Sequence, residues 1–272
     1  MRKLISTLLV VILVFSGCSQ KKVETTVLKW GTDYSNTPEF LSGNVKEVIQ
    51  SNFWTIMKDG KIEKGPMLTM KDNRDSGMMS GFHAIFNNSG KLIRCDYYGD
   101  NLKVDWSIAN DFKDGRVDKE NWIRNDTVFA NSFFHYDNKG FIDSIRMVNA
   151  LADTTNALLV LTNDEKGNCT RMDVFDSKGL LSNYTVFTLN DGGRVTKLAN
   201  YLPKNDTIQW HQLYAYNNRG FCDSIKVFDK SNKLVFTATG TLTYDDKGNW
   251  IKTVWSKNGR AWVIAERSYI YF

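Results

Sequence analysis

The ten residues YDNKGFIDSI at positions 136–145 return at 216–225 as YNNRGFCDSI. The likeness runs without a gap from NDTVFANSFFHYDNKGFIDSIR at 125–146 to NDTIQWHQLYAYNNRGFCDSIK at 205–226. Further on, LTNDEKGN at 161–168 matches LTYDDKGN at 242–249 with the offset grown by one, and FNNSGKLIR at 86–94 is a fainter echo. A catalytic centre has little use for a second copy of itself, whereas a structural unit that stacks on its own likeness does. The chain therefore reads as a duplicated unit of about eighty residues, with copies near 125–189 and 205–272.

Inside each unit a shorter word recurs: an aromatic or aliphatic residue, Asp or Asn, two polar residues, then Gly. It ends at Gly90, Gly140, Gly179, Gly193, Gly220 and Gly248; Gly167 keeps all but the aromatic, Gly259 has Ser in place of the acid, and Asn232 stands where Gly is expected. Asp, Asn or Ser at the first position of a type I turn accepts a hydrogen bond from the backbone two residues on, and Gly at the fourth takes up the left-handed conformation. Such a turn closes a β-hairpin. Asn is the residue that best replaces Gly there, so Asn232 fits the rule.

Between these turns the letters alternate with period two and favour aromatic and β-branched residues, as in Tyr214-Ala-Tyr216, Thr241-Leu-Thr-Tyr244 and Tyr269-Ile-Tyr271. That is strand patterning, and the three prolines of the chain leave the ladders uninterrupted. Residues 43–65 read the same way, with a hairpin at Lys58-Asp59-Gly60, and no long amphipathic helix is visible after residue 17. The expected fold is all-β: an elongated, twisted antiparallel β-meander of repeated hairpins, forming a single curled sheet or a partial barrel over 43–272. Its end strands would need shielding, a role the pair Glu266-Arg267 is placed to fill.

The N-terminus resembles a bacterial lipoprotein signal. Arg2 and Lys3 precede the apolar run LISTLLVVILVF, and Val14-Phe15-Ser16-Gly17-Cys18 places small residues before a cysteine. The resemblance implies a signal peptide over 1–17, cleavage before Cys18 and lipid attachment at Cys18, with 18–42 as lipidated N-terminus and spacer. The recurring Tyr-Asp-x-x-Gly, above all the ending YDDKGNWIKTVWSKNGRAWVIAERSYIYF, resembles the YD-repeat (RHS-type) β-repeats of lipoproteins from gut-type Gram-negative bacteria. This second resemblance spans about 43–272, is strongest after 125, and is weak between 95 and 124. It speaks to fold, not to activity.

Chemistry is sparse. No H-E-x-x-H, G-x-S-x-G, Walker or G-x-G-x-x-G pattern occurs, and His83, His135 and His211 occupy non-equivalent places in the repeat. Asp143 and Asp223 sit alike in Gly-Phe-x-Asp-Ser-Ile, so nothing separates an acid from a base; they read as strand residues pairing across to Lys or Arg. The Asp-rich turns lack the spacing of a calcium loop. Cys95, Cys169 and Cys222 read as small packing residues, since Cys169 aligns with Trp250 and Cys222 with Ile142. Trp210, Trp250, Trp255 and Trp262 crowd the last third and are the candidate ligand contacts, with cross-strand packing as the competing role.

A net charge of +5 with Lys and Arg interleaved among Asp and Glu gives no basic stripe, which excludes nucleic acid as a partner. The sequence thus points to a non-enzymatic binding or structural module, without cofactor or metal, tethered to a membrane through its lipid. A glycan or another envelope protein is the expected partner. An outer-membrane address is expected, facing the periplasm or the cell surface; Ser-Gln-Lys-Lys after Cys18 lacks an acidic pair, which favours the periplasm. A glycan-active enzyme or glycan-binding protein, and an immunity- or antitoxin-like partner, are the alternatives.

Overall fold

The computed structural model describes residues 25–28, 39–69, 81–100 and 103–272, so the signal peptide and Cys18 lie outside the described residues. A short antiparallel pair, β1 (Thr25–Leu28) and β2 (Glu39–Ser42), precedes β3 (Val45–Lys58), β4 (Lys61–Met67), β5 (Gly81–Phe86), β6 (Leu92–Tyr98) and β7 (Val104–Lys113). Then come β8 (Arg116–Arg124), β9 (Thr127–Tyr136), β10 (Ile142–Asn149), β11 (Thr154–Asn163), β12 (Cys169–Asp176) and β13 (Leu181–Leu189). The chain ends with β14 (Val195–Leu202), β15 (Thr207–Tyr216), β16 (Cys222–Asp229), β17 (Leu234–Tyr244), β18 (Trp250–Lys257) and β19 (Arg260–Tyr271).

From β5 to β19 each strand pairs antiparallel with the next, and β19 then pairs with β3 from Val263↔Trp54 to Tyr271↔Val45. On its other side β3 takes β5 along residues 47–51 and β4 along 53–58, so β4 and β5 share one place in the wall. The result is a closed barrel sixteen strands round. This corrects the expected open ribbon or partial barrel. The all-β, antiparallel, hairpin-by-hairpin class holds, but the strands' twist accumulates until the two ends of the meander meet, and closure removes both edges. Glu266 and Arg267 therefore guard no edge: Glu266 bonds Lys64 Nζ at 2.8 Å, and Arg267 is buried.

The turn chemistry is built as its spelling dictates. Asp137 Oδ1 accepts the N–H groups of Lys139 and Phe141, both at 2.9 Å, and Gly140, at φ +86°, donates its N–H to Asp137 O at 3.0 Å. The second bond, four residues on, fixes the residue that follows the glycine; it recurs at Asp164, Asp176, Asn190, Asn217, Asp229 and Asp245. Gly90, Gly167, Gly179, Gly193, Gly220 and Gly248 also have positive φ, and Asn232 has φ +60°. Gly259 differs: it forms a two-residue turn with Asn258 (φ +51° and +79°) between paired Lys257 and Arg260, as do Asp59-Gly60 and Asn125-Asp126. Two successive left-handed residues match the twist of a tight hairpin, so here Ser256 is a strand residue and not the first position of the turn.

The two copies of the duplication share register. Tyr136↔Ile142 and Phe134↔Ile145 in one become Tyr216↔Cys222 and Tyr214↔Ile225 in the other. In each, the tyrosine hydroxyl donates to a backbone carbonyl of the preceding hairpin at 2.7 Å, Tyr136 to Val117 and Tyr216 to Val195. An arginine lies over each ring, Arg116 at 5.3 Å and Arg194 at 5.8 Å.

Turns alternate between two ends. Those after β5, β7, β9, β11, β13, β15 and β17 make a tyrosine end; those after β3, β6, β8, β10, β12, β14, β16 and β18 make the far end. Period-two alternation gives the wall an apolar face and a polar one. The apolar face holds the core clusters around Val48, Phe82, Ala84, Cys95 and Ile108, around Ile145, Leu159, Leu161, Phe187 and Leu198, and around Phe221, Trp250 and Ala265. The polar face carries surface pairs such as Arg94–Asp96 at 2.7 Å and Arg171–Asp173 at 2.8 Å.

Candidate functional site

The repeat is faintest between residues 95 and 124, and there the apolar face changes character. In β6, β7 and β8 the residues with the parity of buried Cys95 and Ile108 are Tyr97, Trp106 and Trp122. Their rings stack in sequence, Tyr97 on Trp106 at 3.8 Å and Trp106 on Trp122 at 5.2 Å, and Phe129 meets Trp122 edge-on at 6.5 Å. The ring faces are thus largely used on one another.

Next along the same face, Asn110, Glu120 and Ser132 stand opposite one another across three strands. Glu120 is 1% exposed. Neither of its carboxylate oxygens, nor Asn110 Oδ1, has a hydrogen-bond partner among the described residues. The Trp122 indole N–H lies near enough to favour the charged carboxylate, but it is donated to Ser132 Oγ at 3.0 Å; Asn110 Nδ2 is donated to Leu92 O at 2.9 Å. Burial dominates and pushes the Glu120 carboxyl up to about 7, and it likewise raises the neighbouring Cys95 thiol. A buried carboxylate without partners costs several kcal/mol, so a stacking unit has no reason to keep one.

The same face continues across the barrel's closing seam. Arg267, Gln50, Phe82, Tyr97 and Trp106 stand level on successive strands. At about 4.8 Å per strand the row is roughly 19 Å long. The Arg267 guanidinium lies over Trp250 at 3.8 Å and Phe82 at 5.6 Å, its Nε donates to Gln50 Oε1 at 2.7 Å, and Gln50 Nε2 donates to Asn52 Oδ1 at 3.0 Å. From β19 through β3 to β9 the apolar face therefore mixes rings with Arg, Gln, Asn, Glu and Ser, whereas from β10 to β14 it is mostly aliphatic.

The tryptophans singled out by the sequence are dispersed. Trp250 is buried beneath Arg267, and Trp255 packs across from Gly240. Trp210, 36% exposed, stands between Asn200 and Asp229 near the far end. Trp262 meets Phe236 edge-on at 6.4 Å, has Lys257 Nζ 4.8 Å from its ring, and lines a shallow cleft of about 440 Å³ with Lys257, Asn258, Arg260 and Ala261. Glu120 and Trp122 belong to no motif of the sequence. The signal was available: in RVDKENWIR they share the parity of the apolar face, so the glutamate had to point where its neighbours are buried.

The remaining polar candidates do not assemble into a reaction centre. Asp143 pairs with His135 Nδ1 at 2.7 Å and not with Lys or Arg; the second copy has Ala215 at the place of His135, so this pair has no counterpart there. Ser144 Oγ donates to the same Asp143 oxygen at 3.0 Å, so the imidazole is not its base. His83 bonds Glu47 at 2.9 Å, and His211 stacks on Phe228 at 4.4 Å, with burial lowering its pKa. Among the described residues no group of three or more His, Cys, Asp or Glu side chains could hold a metal. Cys95, Cys169 and Cys222 are free thiols, the first in the core and the others bonding Arg171 O and Ser224 O.

No protein-family model matches the chain, and no curated protein matches it. Among solved structures it is similar to a porin-like protein from Bacteroides uniformis, at 10% identity and a TM-score of 0.52, over 83% of this chain and 96% of that one. A porin-like protein from Bacteroides vulgatus aligns over 92% of this chain and 99% of that one at 10% identity, with a TM-score of 0.36. The Tc holotoxin pore of Photorhabdus luminescens aligns over 84% of this chain and 13% of that one at 11% identity, with a TM-score of 0.33. The first likeness is one of fold alone, over most of both chains.

Proposed function

We propose that the chain is a YD-repeat β-barrel lipoprotein of the cell envelope, held to a membrane through Cys18, and that it binds a glycan against the wall formed by β6, β7 and β8 without turning it over. Neighbouring side chains converge on the concave side of a closed wall and spread on the convex side, so the less exposed apolar face is taken as the inner one. The observation that carries the reading is Glu120, buried with both carboxylate oxygens unpartnered among the described residues and facing an equally unpartnered Asn110 Oδ1. Acceptors without donors call for a ligand rich in hydroxyl or amine donors, as a glycan is.

A membrane-spanning porin is disfavoured by the same side chains. A spanning barrel shows lipid an unbroken apolar band about 25 Å tall. One face of this wall holds Arg267, Gln50, Asn52 and Glu120, and the other holds Arg94, Asp96, Arg171 and Asp173, so neither provides that band. Calorimetric titration with solubilised envelope polysaccharides and cell-wall fragments tests the binding reading. A saturable ligand should be released intact, and Glu120→Gln or Trp106→Ala should weaken binding at least tenfold. Binding that is indifferent to both substitutions would remove the site from this wall, and cleavage of the ligand would make the protein an enzyme.

A further inference from the structure

Exposed apolar side chains are not spread evenly over this barrel. Of the twelve large hydrophobic residues that are exposed among the described residues, ten lie in the far-end turns or within four strand residues of them, and only Ile270 and Phe272 stand at the tyrosine end. They occupy separate turns around the rim: Met57 is 65% exposed, Leu151 74%, Leu180 63% and Val235 55%. A single exposed apolar residue is ordinary on a protein surface; ten gathered towards one end of the barrel against two at the other are a directional bias.

The rim is also basic. Over the eight far-end turns and the strand residue on either side stand ten basic and seven acidic side chains. Three of those acids have local duties: Asp176 and Asp229 accept their own turns' N–H groups, and Asp206 accepts the Tyr184 hydroxyl at 3.0 Å. At the tyrosine end Arg116, Arg194, Arg219 and Lys247 are laid over tyrosine rings, and at the far end Arg124 over Phe129 and Lys257 over Phe236 and Trp262 are likewise occupied. Far-end Lys58, Lys61, Lys103, Lys178, Lys204 and Lys233 have no such ring among the described residues.

We propose that the far end is a docking face for an anionic bilayer surface, with the apolar tips entering the boundary between headgroups and acyl chains and the lysines meeting lipid phosphates. Apolar tips interleaved with lysine are the chemistry of interfacial membrane binding. A fluid bilayer fills the space between separated tips, whereas a protein partner would need a matching ring of pockets. A second copy docked rim to rim would set like charge against like charge. The described chain begins at Thr25, paired with Ser42, whose N–H bonds Asn249 at the tyrosine end, so the rim lies opposite the start of β1 and its contact is separable from any lipid on Cys18.

The test uses a chain beginning at residue 19, which carries no acylated cysteine and keeps every strand of the barrel, since these lie within 45–271. It should sediment with phosphatidylglycerol vesicles and much less with phosphatidylcholine. The combined Met57→Ser, Leu151→Ser, Leu180→Ser and Val235→Ser variant should bind at least tenfold more weakly with an unchanged circular dichroism spectrum. Lys58→Glu, Lys178→Glu and Lys233→Glu together, which touch no packing, should abolish binding at low salt. Failure of the parent chain to sediment, or binding undiminished in both variants, overturns the proposal. So does a concentration-dependent dimer, lost in the serine variant, in a chain that ignores vesicles; that result would assign the rim to a second copy.

Discussion

The wall from β9 to β18 and the wall from β6 to β8 are built from the same hairpin, yet only the first repeats its side chains. In the repeated wall the turn carboxylates take two backbone N–H groups each, and Tyr136 and Tyr216 reach matching carbonyls at the same 2.7 Å, while buried Asn131 Oδ1 and His211 Nδ1, without a hydrogen-bond partner among the described residues, belong to neutral side chains. In the other wall three rings stack in one row and the carboxylate of Glu120 is left with no partner among the described residues. A stretch that copies itself is constrained by stacking; one that abandons the copy and keeps an expensive buried acid is shaped by something else. That contrast can be broken by experiment.

The largest expected effect belongs to Glu120. Its folded-state pKa of about 7 lies above the ordinary 4.5, so the folded chain holds the proton more tightly, and stability falls as pH rises between those values and is flat above them. The deficit at about pH 8 is about 3 kcal/mol. Glu120→Gln should recover most of it in urea titrations near pH 8 and little near pH 4. A variant that is more stable yet binds its glycan less well would mark this wall as a site; one that is less stable near neutral pH would make Glu120 an ordinary structural partner.

Next come the glycine corners. Gly167 has φ +82°, and a Cβ there would run into the Phe141 ring, whereas Gly179 has φ +75° with nothing within 4 Å. Gly179→Ala should cost about 1 kcal/mol for the left-handed backbone alone. Gly167→Ala should cost about 2–3 kcal/mol, because the ring must also move. Equal losses in the two urea midpoints would mean that the tyrosine-end corners are no more tightly packed than the others. The smallest effect sharpens the equivalence of the copies: Tyr136→Phe and Tyr216→Phe should each lose about 1 kcal/mol, and by the same amount. Unequal losses would show that identical bonds serve unlike surroundings.

Much of this fold could be read from the letters because its rules are local. A type I turn closed by a left-handed residue has few spellings, and period two assigns each side chain a face. Closure could not be read. Nothing within ten residues of Tyr269 says that it will face Val48, since that pairing depends on twist summed over the whole wall. The candidate site escaped for a related reason. Trp210, Trp250, Trp255 and Trp262 stand out because they fall in the repeated last third, while Tyr97, Trp106 and Trp122 lie where the repeat is faint and meet only through strand pairing. Glu120, between Lys119 and Asn121, looked like one more interleaved charge until the strand's parity was enforced by its neighbours.

The seam between β3 and β19 joins residues more than two hundred positions apart. A chain delivered N-terminus first must therefore carry β3 to its destination with one flank unsatisfied, and no cylinder exists until the final strand has been translated and released. Losing those last dozen residues would do more than shorten the protein: it would leave two raw β-edges side by side, each an invitation to other chains.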